Sequence, residues 1–267
     1  GTINASANGG TGSIQINHSG AVTIGAGLTT DGGGVDIDST ASLVAVSASI
    51  NTTSSAGGQV TIDAAGQNSD VTIGAAITTN NADQTIRADD SVLFVSGGSL
   101  STGSGVGGAI AVTANNATTD GDDGDTISML ADTSVEAGTG TTTLTANGTN
   151  AGNVEVGDVQ GSTVYLNADN AGVAEAGGDG AADISGTTID STVYNDFGTS
   201  AAPIETAVDD VQIESTNGGD VYLVENSGIE LTNVSTADGT VDVTDSNGNI
   251  TLGSVDAGSG TIVLNAA

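Results

Sequence analysis

Short apolar–polar–apolar triplets recur along the whole chain, each closed by a small residue. Val22 to Gly25 and Val71 to Gly74 both read VTIG, and Ile250 to Gly253 reads ITLG. Alternation of period two is the mark of a strand with one buried face. One more apolar residue follows the break, as in VTIGAGL (Val22 to Leu28) and VAVSASI (Val44 to Ile50), so the chain bends and points inward again. A second phrase starts on glycine: GGVDI (Gly33 to Ile37), GQVTI (Gly58 to Ile62), GAIAV (Gly108 to Val112), GDVYL (Gly219 to Leu223), GTVDV (Gly239 to Val243) and GTIVL (Gly260 to Leu264). A weaker copy, TIRA at Thr85 to Ala88, stands between the second and third of these. No window carries the sustained 3.6-residue spacing of large apolar groups that a helix needs.

Internal repetition at a near-constant spacing decides the fold class. The glycine-led phrase returns after roughly 25 residues in the first half and roughly 20 at the end, with two or three short strands per unit. This predicts an all-β chain: a parallel β-solenoid, specifically a right-handed β-helix of about 11–12 rungs of roughly 20–25 residues. At ~4.8 Å per rung the rod would be ~55 Å long. A pair of β-sandwiches would not repeat one phrase at one period. Ile37, Ile62, Val112, Leu223 and Val243 are expected to stack as one inward ladder, and Ile24, Ile73, Leu231 and Leu252 as another. The glycines are expected to supply corners with positive φ. Residues 1–267 read as a single repeat segment with irregular stretches near 113–126 and 167–210, and as a piece of a longer chain.

Charge narrows the partners. The chain has 33 acidic residues against one Lys or Arg, Arg87, for a formal net charge of −32. Phosphate backbones need cationic contacts, so nucleic acid is excluded as a partner. Anionic membrane surfaces repel such a chain, and no apolar run is long enough to insert. There is no cysteine, hence no disulfide framework. The charge suits a salty or Ca²⁺-containing medium.

The chemical candidate is DGDDGD, where Asp120, Asp122, Asp123 and Asp125 on a glycine-rich loop offer the oxygen ligands that Ca²⁺ takes. The spacing is not an EF-hand, because Ala131 stands where the twelfth-position Glu belongs, and GGDGAAD (Gly177 to Asp183) is not a nonapeptide Ca²⁺ repeat. A solvated acidic loop is the plainer reading. The dyads Asp89/Asp90, Asp122/Asp123 and Asp209/Asp210 do not make a glycosidase pair, since adjacent strand residues face opposite sides. His18 has no second His or Cys, and Arg87 is expected to point outward toward a neighbouring Asp. No enzyme activity is expected.

Phrases such as NDFGTSAAPIETAVDD (Asn195 to Asp210), GDVYLVENSGIELTNV (Gly219 to Val234) and GNITLGSVDAGSGTIVLNA (Gly248 to Ala266) resemble repeats of filamentous haemagglutinin-like proteins, very large bacterial surface and secreted proteins. The resemblance implies a β-helical shaft, secretion across the outer membrane, and a role in adhesion or extracellular matrix. The expected function is therefore a structural shaft at the bacterial cell surface or outside it, giving length, stiffness and surface presentation. Its expected partners are further rungs of the same chain or end-to-end copies, and surface glycans or matrix. Two alternatives are a carbohydrate- or receptor-binding β-helix with contacts near Asp120 or in 167–210, and, less favoured, a polysaccharide-degrading enzyme.

Overall fold

A computed structural model describes residues 12–52, 58–103, 105, 107–115, 125–148, 152–178 and 180–267. The chain is a parallel β-solenoid of about 11 turns, with no helix among the described residues. Each early turn lays one strand on each of three walls. The first wall runs through Ile14–His18, Val35–Ser39, Val60–Ala64, Gln84–Ala88, Ile110–Ala114 and Thr141–Ala146. The second runs through Val22–Ile24, Val44–Val46, Val71–Ile73, Val92–Phe94, Ile127–Met129, Val154–Val156 and Val173–Glu175. The third begins with Leu28–Thr30, Ile50–Thr52 and Ala76–Thr79 and reaches Ser134–Glu136. Farther along, Asp158–Ala168 and Ile184–Val193 each run from the third wall into the first without a break.

Parallel pairing one turn apart puts like positions on top of each other. On the first wall Ile37, Ile62, Ile86, Val112, Leu144 and Leu166 stack in register, all fully buried. On the second, Ile24 stacks on Val46 and Val46 on Ile73. The remaining expected members lie elsewhere. Leu223 and Val243 stack with Ile204 in a third-wall ladder, and Leu231 and Leu252 continue the first-wall ladder of Val164, Ile189 and Val211. Period-two alternation separates inside from outside but carries no label for the wall. Beyond Phe197, which bridges Val173 and Val221, a turn shortens to two longer strands, so the glycine-led phrase changes walls.

Glycine at the head of the phrase has a different cause from the one expected. None of Gly33, Gly58, Gly108, Gly219, Gly239 and Gly260 has a positive φ. Each lies under the backbone of the preceding turn instead: a Cβ on Gly239 would sit 2.1 Å from the Gly219 carbonyl oxygen, and one on Gly260 would sit 1.9 Å from that of Gly239. The same corner is held by buried threonines. Thr30, Thr52 and Thr79 stack in register, and each hydroxyl donates to a carbonyl just before the next first-wall strand, Thr52 Oγ1 to Gly58 O at 2.9 Å. Because the obstruction at Gly239 is backbone, Gly239→Ala should destabilise the fold by about 1–3 kcal/mol, as overpacking in a rigid core does. Urea unfolding of the two proteins measures it.

Candidate functional site

The expected acidic loop yields little geometry. Asp120, Asp122 and Asp123 lie outside the described residues. Asp125 is buried at the end of that stretch, where Asn115 Nδ2 donates to its Oδ2 at 2.6 Å. Asn115, with φ of 52°, also donates to the Asn147 carbonyl. This ties Asp125 into the solenoid corner. His18 and Arg87 are exposed on the first wall, and Arg87 stacks in register on Asp63. Burial pushes the Asp63 carboxyl up, while the Arg87 charge pulls it back down.

A different set of carboxylates converges. Glu175 ends the second-wall strand Val173–Glu175 and pairs in register with Val156, so a charged residue continues a buried apolar position. Asp183 immediately precedes Ile184–Val193 on the third wall, and Glu205 lies in Ile204–Ala207 one turn on. A carboxylate oxygen from each lies within 4.8 Å of the other two. The chain returns from Glu175 through a glycine-rich turn. Gly178 adopts φ of 63° there and donates its N–H to Glu175 Oε1, a conformation that costs glycine least.

Backbone hydrogen bonds pin the pair from two turns. Asp183 N–H donates to the Glu205 carbonyl at 2.8 Å, and Glu205 N–H donates to Asp183 Oδ2 at 2.9 Å. Asp183 is 8% exposed. Burial pushes its carboxyl up to about 8, and the neighbouring Glu205 and Glu175 carboxylates add to the rise against the Glu205 N–H. Glu205 Oε2 is closed off from solvent with no donor on it. A cavity of about 160 Å³ adjoins the group, with Glu175, Asp183, Asp158 and Gly177 in its lining.

Glu225, fully buried one turn on from Glu205 and in register with Thr206, shows what a carboxylate with a structural role looks like. Its Oε2 accepts from Thr206 Oγ1 at 2.8 Å and Val208 N–H at 3.2 Å, and its Oε1 from Asn226 N–H, Ser227 N–H and Ser227 Oγ at 2.8, 3.0 and 2.9 Å. Five donors saturate it. Glu205, by contrast, is paired with another acid: the Asp183 carboxyl hydrogen-bonds to its side chain.

Sequence reasoning passed over this cluster because it sought ligands inside one loop. Asp183 and Glu205 are 22 residues apart, one turn of the coil, and only the register brings them together. Carboxylates spaced by one repeat length were the signal available. The region 167–210 also contributes Pro203 to a cleft of about 210 Å³ beside Tyr222, Asp242 and Thr244. Comparison with known proteins finds no matching family, no matching curated sequence and no matching solved structure.

Two outcomes follow. Glu225→Ala should cost about 3 kcal/mol or more, because several buried donors lose a charged acceptor at once; urea unfolding measures it. The second concerns pH with divalent ions removed by EDTA. The folded-state value for Asp183, about 8, lies above the ordinary 3.8, so its contribution to stability is complete below about pH 4 and is lost as pH rises toward about 8. Asp183→Asn, which does not ionise, should therefore melt progressively higher than the parent across that window and hold a constant lead above it. A gap independent of pH would contradict the assignment.

Proposed function

We propose that this chain is a shaft segment of an extracellular bacterial protein of the filamentous haemagglutinin-like kind, serving adhesion or matrix by giving length, stiffness and surface presentation. The observation that supports it most is uniform architecture: about 11 parallel turns around one apolar interior, with most exposed positions filled by small, polar and acidic side chains and a few, such as Leu43 and Leu130, by large apolar ones. Such a rod places whatever it carries at a set distance, and its acidic surface keeps neighbouring rods apart at low salt. No catalysis is part of this reading.

The partner in this reading is further rungs of the same chain or an end-to-end copy. An uncovered ladder with its unpaired backbone edge is a template for another strand layer. Further rungs of the same chain, or an end-to-end copy, would complete it. A binding role toward surface glycans is the second reading, favoured by the Tyr222 cleft, where an aromatic ring stands beside acidic acceptors.

Sedimentation velocity and negative-stain electron microscopy of residues 1–267 test the first reading. Association should grow with concentration and lengthen the rods along their axis, and a polar capping rung appended after Ala267 should suppress it. A monodisperse short rod at high concentration without the cap would contradict axial pairing. Retention on a neutral glycan array, lost in Tyr222→Ala, would favour the second reading.

A further inference from the structure

We propose that the cleft beside Tyr222 binds one neutral pyranose ring of a glycan, with Tyr222 as the platform for its C–H face and Asp242 as the acceptor for two of its adjacent hydroxyls. The proposal rests on the second reading above. To that reading it adds the ligand class and the residue that selects it.

Register and one irregular turn build the cleft. Ile204 pairs with Leu223, which sets Pro203 one turn before Tyr222, and Tyr222 pairs with Asp242 one turn on. Thr244 stands in the same relation to Val224. The turn 198–203 carries the single Pro of the chain and places Ser200 and Pro203 in the lining. That turn is held in shape. Thr199 N–H donates to the Ala202 carbonyl at 2.8 Å, and Ala202 N–H donates to Thr199 Oγ1 at 3.0 Å. Gly198, at φ of 71°, passes so close under the next turn that a Cβ would lie 2.6 Å from the Tyr222 carbonyl oxygen. The cleft is therefore formed in advance, and little ordering is left for binding to cost.

The polar groups around the ring divide into spent and unspent ones. Tyr222 OH donates to Asp220 Oδ2 at 3.4 Å and is hydrogen-bonded to the Thr240 hydroxyl, which fixes the ring by its tip. Asp220 Oδ1 accepts from Thr240 N–H at 2.6 Å. Asp242 takes no hydrogen bond from the described residues, although it stands in register with Tyr222 and lines the cleft. A sugar presents the matching surfaces: an apolar C–H patch for an aromatic face, and hydroxyl donors at its edge for a carboxylate. Hydrogen bonds to an ionised acceptor are the strong ones. Both Phe are buried in the core, whereas Tyr222 is only partly covered.

Size and charge narrow the class. The cleft holds about 210 Å³, below the roughly 300–1,000 Å³ of sites that enclose a drug-sized molecule, so it fits one ring. Asp220 and Asp242 flank Tyr222 on a rod of formal net charge −32, and a uronic or sialic acid carboxylate would meet repulsion there.

Ligand-observed NMR titration of the full chain tests this, with the methyl glycosides of glucose, galactose and mannose and with the matching uronates. At least one neutral glycoside should bind with a Kd of about 1–10 mM, and its uronate at least about tenfold more weakly. Tyr222→Ala should weaken binding about tenfold, while Tyr222→Phe, which keeps the ring, should stay within about threefold of the parent. Asp242→Asn should weaken the neutral glycoside about tenfold and shrink its lead over the uronate. Tyr165→Ala, on the first wall, should bind as the parent does. Melting curves check folding, and if Tyr222→Ala is unfolded the near-isosteric Asp242→Asn decides. No binding of any neutral glycoside, equal binding of the uronate, or undiminished binding in Asp242→Asn would each overturn the proposal. Array retention that Tyr222→Ala abolishes would then still uphold the second reading; no retention at all would remove both.

Discussion

Parallel, in-register backbone pairing between successive turns is the constraint from which the rest follows. Neighbouring strands are held ~4.8 Å apart, so each residue meets the residue one turn away before it meets anything else. Ile37, Ile62, Ile86 and Val112 can stack because each offers the next the same branched surface. The same closeness makes Gly219, Gly239 and Gly260 a column of glycines: the carbonyl above occupies the place of a side chain. Threonine at the third corner, from Thr30 to Thr79, closes its own hydrogen bond locally and leaves a column that repeats without cost.

Stacking treats charge less kindly. Asp38 and Asp63 lie one above the other on the first wall, and desolvation together with neighbouring acids raises both carboxyls, with Arg87 opposing the rise at Asp63. Exposed columns of this kind are relieved by solvent and salt. Inside the third-wall corner that relief is absent, and the chain meets the problem in two ways. Glu225 is surrounded by backbone and hydroxyl donors; Glu175, Asp183 and Glu205 are left facing each other. The first arrangement is complete within the protein; in the second, burial and the neighbouring acids raise the Asp183 carboxyl.

Much of the fold could be read from the sequence because its determinants are local and repeated. Val22-Thr23-Ile24 declares a one-sided strand, and its return as Val71-Thr72-Ile73 declares a stack. The wall to which a phrase belongs was less legible. Val221-Tyr222-Leu223 and Val35-Asp36-Ile37 have the same alternation, yet one spans the second and third walls and the other lies on the first. That difference arises from how many strands fill a turn, which depends on corners such as the one at Phe197. Glycine plays two parts: Gly32, Gly218 and Gly258 take the positive φ expected of corners, whereas the phrase heads are glycine because of a close approach, and only the neighbouring turn tells the two apart. The carboxylate cluster was illegible to a search within loops, since Glu205 joins Asp183 through register alone.

Register also gives the account its most direct measurement. Asp36, Thr61, Thr85, Ala111, Thr143, Tyr165, Asp190 and Gln212 form one outward column, so Asp36 and Gln212 are seven rung steps apart along the axis. The chain has no cysteine, so Asp36→Cys and Gln212→Cys can be spin-labelled without background. At ~4.8 Å per step, pulsed electron double resonance should return one narrow distance near ~34 Å, broadened by the label arms. A distance near ~20 Å or less, or a broad distribution without a maximum, would contradict the stacked parallel coil.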